Sequence, residues 1–118
     1  MPTKPQTMTK TFNDIIKTLY KDEFSIAETM QVLYKTNPLV YFSWGVSAKY
    51  NYENKALILK VNAHHHKGYV VITLDWNDTY IVNIIKTSGR IVATYDNVFF
   101  DELQEIIDNK IERIEEYA

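Results

Sequence analysis

The sequence contains no cysteine, and it has only three glycines and three prolines in 118 residues. Without cysteine there is no disulfide, no thiolate nucleophile and no Cys-ligated zinc, which suits a reducing cytoplasm. With so few glycines, none in a phosphate-loop pattern, the usual nucleotide-binding loops are not expected. No apolar run approaches the roughly 20 residues that span a bilayer, and the opening residues lack the apolar core of a secretion signal. We therefore expect a cytoplasmic protein that has no membrane span and no cofactor.

Charge is modest in total, but it is unevenly placed. The net charge is −2, with +3 on residues 1–60 (eight Lys, five acids) and −5 on residues 61–118 (five Lys and Arg, ten acids). Strong non-specific binding of nucleic acid by the whole molecule is therefore not expected. A local basic patch is compatible with this distribution.

The N-terminal part of the chain indicates a tail and two helices. Residues 1–9 are polar and are predicted to be a disordered tail, followed by a single α+β domain over residues 10–118. The second helix begins with Ser25 and Glu28 at capping-box spacing and ends at Asn37, which precedes a proline. The first helix is indicated by four apolar residues at helical spacing, Phe12, Ile15, Ile16 and Leu19.

From Leu39 to Tyr95 the apolar period changes to two, which is typical of half-buried strands. Turns at Lys67-Gly68 and at residues 77–79 place the apolar residues of neighbouring strands on one face, and a one-residue slip would invert the faces. The pattern predicts an antiparallel β-meander of about five strands, the first of them over residues 40–48. N-terminal helices and a C-terminal helix are predicted to pack on this sheet. The C-terminal helix is indicated by Phe100, Leu103, Ile106, Ile107 and Ile114.

One face of the sheet is predicted to be covered by helices and the other to be open. The expected core is Leu59, Val61, Ile72, Leu74, Val82 and Ile84. Because an open face with apolar residues often marks an interaction surface, we expect a protein partner, either a second copy in a homodimer or another chain. The competing arrangement is a three-layer monomer in which the N-terminal helices cover this face. The partner-binding candidates are Tyr41, Lys49, Lys60, Tyr69, Val71, Ile81 and Ile85.

Three adjacent histidines, His64 to His66, raise the question of a metal or catalytic site. On a strand, His64 and His66 point the same way and can share one metal ion. A stable zinc site needs a third and usually a fourth ligand, and Asp75 lies several residues down the neighbouring strand. Catalysis would need a nucleophile and an orienting carboxylate in reach, and Ser43, Ser47 and Asp75 show no such spacing. We favour a polar hairpin tip and predict no catalytic residue.

Two glycines have a positional meaning. Gly45 interrupts the predicted first strand, where a glycine marks a bulge or a close approach by another backbone or a ligand. We favour the bulge. Gly89 is predicted to lie in a turn.

Two further patterns have both a structural and a functional interpretation. Acids at helical spacing near the C-terminus are typical of a solvated helix face, and also of a docking surface for a basic partner or an acidic decoy of nucleic acid. These acids are Glu102, Glu105, Asp108, Glu112 and Glu116. Aromatic and basic residues on the open face would form a stacking platform for single-stranded nucleic acid. They are Tyr41, Lys49, Lys60 and Tyr69.

The strings LVYFSWGVSAK, LKVNAHHHKGYVVITLDWNDTYIVNII and FFDELQEIID occur together in this chain. In that combination the sequence resembles small uncharacterised proteins carried by bacterial mobile elements and phages, from about Thr11 onward. The resemblance implies an accessory protein that acts through binding, and it carries over no catalytic residue. We therefore predict a non-enzymatic binding protein. The alternatives are a single-stranded nucleic-acid-binding protein and a His-dependent metal-binding protein or enzyme.

Overall fold

The computed structural model describes residues 10–19 and 23–112, with side chains from residue 14 onward. The predicted tail at residues 1–9 lies outside these ranges, as does Ile114 of the predicted last helix. The helices are α1 (Lys10–Leu19), α2 (Ile26–Thr36), α3 (Pro38–Ser43) and α4 (Leu103–Ile111), and a 3₁₀ turn over Phe100–Glu102 precedes α4. The strands are β1 (Ala48–Tyr52), β2 (Ala56–Asn62), β3 (Lys67–Leu74), β4 (Tyr80–Lys86) and β5 (Ile91–Val98). None of the described helices is long and apolar enough to span a membrane.

The five strands form one antiparallel sheet in the order β1-β2-β3-β4-β5, which confirms the predicted α+β meander. The β2–β3 turn lies at His64 and His65, so the predicted turn at Lys67-Gly68 is wrong. A turn at Lys67-Gly68 would pair Ile72 with Ala63, but in the structure Ile72 pairs with Leu57. Because this shift is an even number of residues, the side chains keep the faces that the sequence predicts.

The predicted strand over residues 40–48 is wrong, because residues 40–43 belong to α3 and residues 44–47 connect this helix to β1. The Asn37 side-chain oxygen accepts hydrogen bonds from two backbone N–H groups of the first turn, at 3.1 and 3.4 Å. Pro38 opens the helix, at a position where an N–H has no helical partner. The apolar pattern also fits a helix, since Tyr41 and Trp44, three residues apart, are both buried. The first strand therefore begins only at Ala48.

Gly45 follows the end of α3. Its φ of +63° is in the left-handed region that glycine adopts without strain, and its N–H donates to the Phe42 carbonyl oxygen at 3.3 Å. A Cβ at this position would lie 2.6 Å from the carbonyl oxygen of Asn62. The predicted strand bulge at Gly45 is therefore wrong, and a close approach by another backbone is what the structure shows. Gly89 lies in the β4–β5 turn as predicted, and its N–H donates to Lys86 at 2.8 Å.

One face of the sheet packs against α2, α3 and α4. Five of the six predicted core residues are buried there, namely Leu59, Val61, Ile72, Val82 and Ile84. Leu74 is only half-buried because it ends β3. The indole of Trp44 is fully buried, and its Nε1–H donates to Asp108 Oδ1 at 2.9 Å, which joins α3 to α4.

The opposite face of the sheet is covered in part by α1, so the expectation of an open face is wrong there. Ile16 of α1 is fully buried in a cluster with Ala56, Ile58, Tyr69, Val71 and Ile85. The chain thus has three layers, with α1 on one side and the other helices on the other. Ile81 is half-buried. Tyr41 is absent from this face, because it belongs to α3 and is buried in the first-face core.

The last strand, β5, is an irregular edge strand. Its pairing with β4 shifts in register between Tyr80 and Val82 and again between Ile84 and Ile85. Near its end, Asn97 has a φ of +53°. Such bulges bend a strand and increase its twist.

Candidate functional site

The two ends of the sheet carry opposite charge, and the strand order is the reason. In an antiparallel meander the β1–β2 and β3–β4 turns lie at one end, and the other two turns lie at the opposite end. The chain before α2 joins the first end, because the Phe24 N–H donates to the Asn54 carbonyl oxygen at 2.9 Å. We call this the acidic end. Among the described residues it holds Glu23, Glu28, Glu53, Asp75, Asp78, Asp96, Asp101 and Glu102, together with the cations Lys35 and Lys55.

Large aromatic side chains are exposed at the acidic end. They are Trp76 (72% exposed), Phe99 (57%) and Phe100 (64%). The Asn77 Nδ2 donates to Asn97 Oδ1 at 3.2 Å, which joins the β3–β4 turn to the end of β5, so the three residues belong to adjoining segments of this end. The Phe99 N–H donates to Glu102 Oε1 at 3.1 Å, so this carboxylate is fixed beside the rings. Trp76 continues the apolar alternation of β3, and Phe100 continues the helical spacing of α4, but both side chains are exposed.

A groove of about 520 Å³ runs between α2 and the 3₁₀ turn. Its lining is Glu28, Gln31, Val32, Lys35, Thr36, Phe100 and Asp101. The buried Gln104 fixes α4 against α2, since its Nε2 donates to the carbonyl oxygens of Leu33 (2.7 Å) and Asn37 (2.8 Å). The groove therefore has a rigid wall on each side. No sequence pattern singles out Gln104, because its partners are backbone atoms about 70 residues earlier in the chain.

The opposite end of the sheet, which we call the basic end, carries one cation from each strand or its adjoining turn. Pairing of Ala48 with Lys60, of Lys60 with Tyr69 and of Tyr69 with Ile85 defines one level across the sheet. Ile91 of β5 pairs at the same level. Since neighbouring strands lie about 4.8 Å apart, the five strands span roughly 19 Å at this level. The cations near it are Lys49, Lys60, Lys67, Lys86 and Arg90.

The sequence pattern predicts that Lys49 and Lys60 share a face of the sheet, but in the structure they lie on opposite faces. Lys49 pairs with Leu59, which packs on the helices of the first face. Lys60 pairs with Tyr69, which packs under α1. The prediction fails because α3 and the turn after it displace the start of β1.

Tyr41 and Lys49, by contrast, do meet. They line a groove of about 330 Å³ together with Phe42, Gly45, Val46, Ser47 and Ala48. The ring of Phe42 is 61% exposed, and its centroid lies 5.9 Å from that of Tyr41. Burial raises the pKa of the Tyr41 hydroxyl, so this group remains a hydrogen-bond donor at neutral pH.

The histidine segment is the tip of the β2–β3 hairpin, as predicted, and its backbone caps a helix. The His64 N–H donates to Glu112 Oε1 at 2.8 Å, and the His65 N–H donates to the Ile111 carbonyl oxygen at 2.7 Å. The last carbonyls of a helix have no helical donor, so this tip satisfies part of the end of α4. The side chains of His64 and His65 are exposed.

His66 differs from its neighbours because it is buried, with 8% of its surface exposed. Its Nε2 lies 3.4 Å from the Tyr69 carbonyl oxygen, and burial lowers its pKa. His64 and His66, the predicted metal pair, thus lie in different environments. The part of the chain that the structure describes contains no group of three or more His, Cys, Asp or Glu side chains that could hold a metal ion.

The residues considered for histidine catalysis are also dispersed. The Ser43 hydroxyl donates to the Val40 carbonyl oxygen at 2.6 Å, within α3. Ser47 lies beside Lys60 at the basic end, whereas Asp75 accepts the Trp76 N–H at the acidic end. The described residues therefore show no pairing of these groups with a histidine.

Comparisons with the models of protein families, with curated proteins and with solved structures find no significant match to this chain. The two charged ends of the sheet and the aromatic side chains exposed there are the features of the molecule that bear on its function.

Proposed function

We propose that this chain is a small non-enzymatic binding protein whose acidic end docks a basic segment of another protein. The observation that carries this proposal is the exposure of Trp76, Phe99 and Phe100 among carboxylates. Large aromatic side chains grouped on a surface and rimmed by polar residues are typical of an interaction site. Tryptophan is also among the residues that contribute most to binding energy at interfaces.

The chemistry of this surface favours Lys and Arg in the partner. A cation placed over an exposed aromatic ring is attracted by about 0.5–1 kcal/mol, and most strongly by Trp. Asp78, Asp96 and Asp101 add carboxylates to which a guanidinium can donate two parallel hydrogen bonds. The charge of the acidic end also steers a basic partner towards this end of the molecule, so it raises the association rate.

The groove beside Phe100 offers a place for one apolar anchor of such a segment. Val32 and Phe100 supply apolar walls, and Glu28 and Asp101 lie at the same groove together with one cation, Lys35. A segment in which an apolar side chain is flanked by Lys or Arg would fill the groove and pair with both carboxylates. Because Gln104 fixes α2 against α4, the free protein already has the shape of the complex, which lowers the entropic cost of binding.

A homodimer through the second face of the sheet is a weaker alternative. Of the three apolar residues predicted to form that interface, Val71 and Ile85 are fully buried in the chain itself and Ile81 is half-buried. A second copy would therefore have to displace α1 to reach them. A different protein as the partner agrees with the accessory role that the resemblance to proteins of mobile elements implies, and that origin remains a prediction.

The test starts from capture of a partner from the native cell, with the immobilised full chain. Trp76→Ser combined with Phe99→Ser should abolish capture of the same identified protein. Leu39→Ser is the control, because it removes exposed apolar surface (79% exposed) outside the acidic end. All three changes are on exposed residues, so the free energy of unfolding should change by about 0.5 kcal/mol or less.

Titration of the purified partner then measures the size of the effect. We expect the acidic-end variant to lose at least about tenfold in affinity, or about 1.4 kcal/mol, and the control to bind like the unmodified chain. The partner's binding segment should be basic, and its affinity should fall with added salt. Equal losses in both variants, or a binding segment rich in acids, would show that the acidic end is not the docking surface.

A further inference from the structure

The basic end is a second charged surface, and the protein-docking surface proposed above does not use it. Its cations are spread across the sheet, one per strand, over roughly 19 Å. Lys49, Lys67, Lys86 and Arg90 are exposed, and Lys60 is half-buried. The side chains of Lys49 and Lys60 point to opposite faces of the sheet. The cations therefore form a row along the rim of the sheet and not a patch on one face.

Two carboxylates of α4 lie near this row, and each accepts a hydrogen bond within the chain. Glu112 accepts the His64 N–H at 2.8 Å, and Asp108 accepts the Trp44 Nε1–H at 2.9 Å. Lys110 adds a further exposed cation from α4. Burial is the main cause that lowers the pKa of His66, and the charges of Lys110 and Lys86 lower it further. Six cations thus lie near the carboxylates of Asp108 and Glu112, so the local charge of the basic end is positive, although the whole chain is acidic.

An aromatic ring lies at the β1 side of the row. Phe42 is 61% exposed and lines the same groove as Lys49. The ring of Tyr34 stands edge-on to Phe42, with a centroid distance of 5.6 Å, which fixes the orientation of Phe42. An exposed, oriented ring beside a lysine is the combination on which a nucleic-acid base stacks while its phosphate is neutralised.

We infer that the basic end binds the sugar-phosphate backbone of a single-stranded nucleic acid, with one base stacked on Phe42. A row of cations suits a linear polyanion. In stacked nucleic acid each strand carries one phosphate per about 3.4 Å, so a row of roughly 19 Å faces five or six phosphates. A single strand is favoured over a duplex, because the bases of a duplex are already stacked on one another and cannot cover Phe42.

The experiment measures binding of a fluorescein-labelled twelve-residue oligothymidylate to the full chain by fluorescence anisotropy, between 25 and 200 mM NaCl. The logarithm of the association constant should fall linearly with the logarithm of salt concentration. Lys67→Ala combined with Lys86→Ala should reduce this slope by about 1.4, since each lost contact with a single strand removes about 0.7. Phe42→Ala should weaken binding at least about fivefold and leave the slope unchanged.

The matched control is Lys35→Ala combined with Lys55→Ala, which removes two cations at the acidic end, one from the groove beside Phe100 and one from the β1–β2 turn. This variant should keep the slope of the unmodified chain. Equal effects in both lysine variants would overturn the inference, as would tighter binding of a duplex of the same length. So would preferential binding of vesicles made of phosphatidylglycerol. Light scattering could also show that the chain self-associates and that the Lys67 and Lys86 changes abolish this self-association. In that case the basic end binds the acidic end of a second copy and not a nucleic acid.

Discussion

The two tryptophans show how differently one residue type is used in this chain. Trp44 is fully buried and donates its indole N–H to Asp108, so it packs the core and satisfies a carboxylate on α4. Trp76 is 72% exposed at the β3–β4 turn and adds nothing to the core. Both tryptophans fit the apolar alternation of the sequence, which is typical of the buried face of a strand. The alternation does not show where a strand begins or ends, and Trp44 follows α3 while Trp76 follows β3.

We predict that Trp44→Phe lowers the free energy of unfolding by about 2–4 kcal/mol. It removes a buried hydrogen bond, leaves the Asp108 carboxylate without that donor and opens space in the core. Trp76→Phe is the matched control and should change stability by about 0.5 kcal/mol or less. Urea denaturation followed by circular dichroism measures both. A loss for Trp76→Phe as large as that for Trp44→Phe would mean that the turn, too, is part of the core.

At the level of elements, the sequence predicts regular strands well and short helices poorly. The alternation in β2, β3 and β4 places the right side chains on each face even though the β2–β3 register is wrong, since the period of a strand is two. Over α3 the same alternation is misleading, because the helix has only six residues and its start depends on the Asn37 cap and Pro38. Asn37 and Pro38 indicate the end of α2, which is correct, but the same two residues also begin α3, and the sequence pattern does not show this second role.

The hairpin tip and α4 depend on each other through backbone atoms. We predict that His65→Pro lowers the free energy of unfolding by about 1–3 kcal/mol, because it deletes the N–H that donates to Ile111 at 2.7 Å. His65→Ala keeps this N–H and should cost less. Thermal unfolding of the two variants decides the point. If they are equally stable, the contact between the tip and α4 contributes nothing.

On the scale of the whole molecule, both faces of the sheet take part in the fold. Strand patterns predict two apolar faces, but whether a helix or a partner covers the second face depends on how the chain before the sheet crosses it. Similarly, the charges of the acidic and basic ends are separated by up to tens of residues in sequence. They gather only once alternate turns are placed at the same end of the meander. The sequence therefore supplies the residues of the candidate surfaces, and the topology groups them.

We predict that Ile85→Lys destabilises the fold by more than about 3 kcal/mol, because it places an ammonium in the cluster beneath α1. Ile91→Lys on the neighbouring strand is the control, since Ile91 is 40% exposed and can keep a charge in water. Chemical denaturation combined with light scattering gives stability and mass together. A dimer that Ile85→Lys converts into a stable monomer would show that a second copy, and not α1, covers this residue.

The irregular pairing of β5 has a consequence for the protein in a crowded solution. An edge strand offers unpaired N–H and C=O groups on which other chains can add strands and grow into fibrils. The two register shifts and the left-handed backbone at Asn97 interrupt that row of groups, and Asp96 beside it places a charge on the edge. The sheet thus ends in a strand that is a poor template for fibril growth, so the aromatic side chains exposed nearby can serve recognition without also nucleating aggregation.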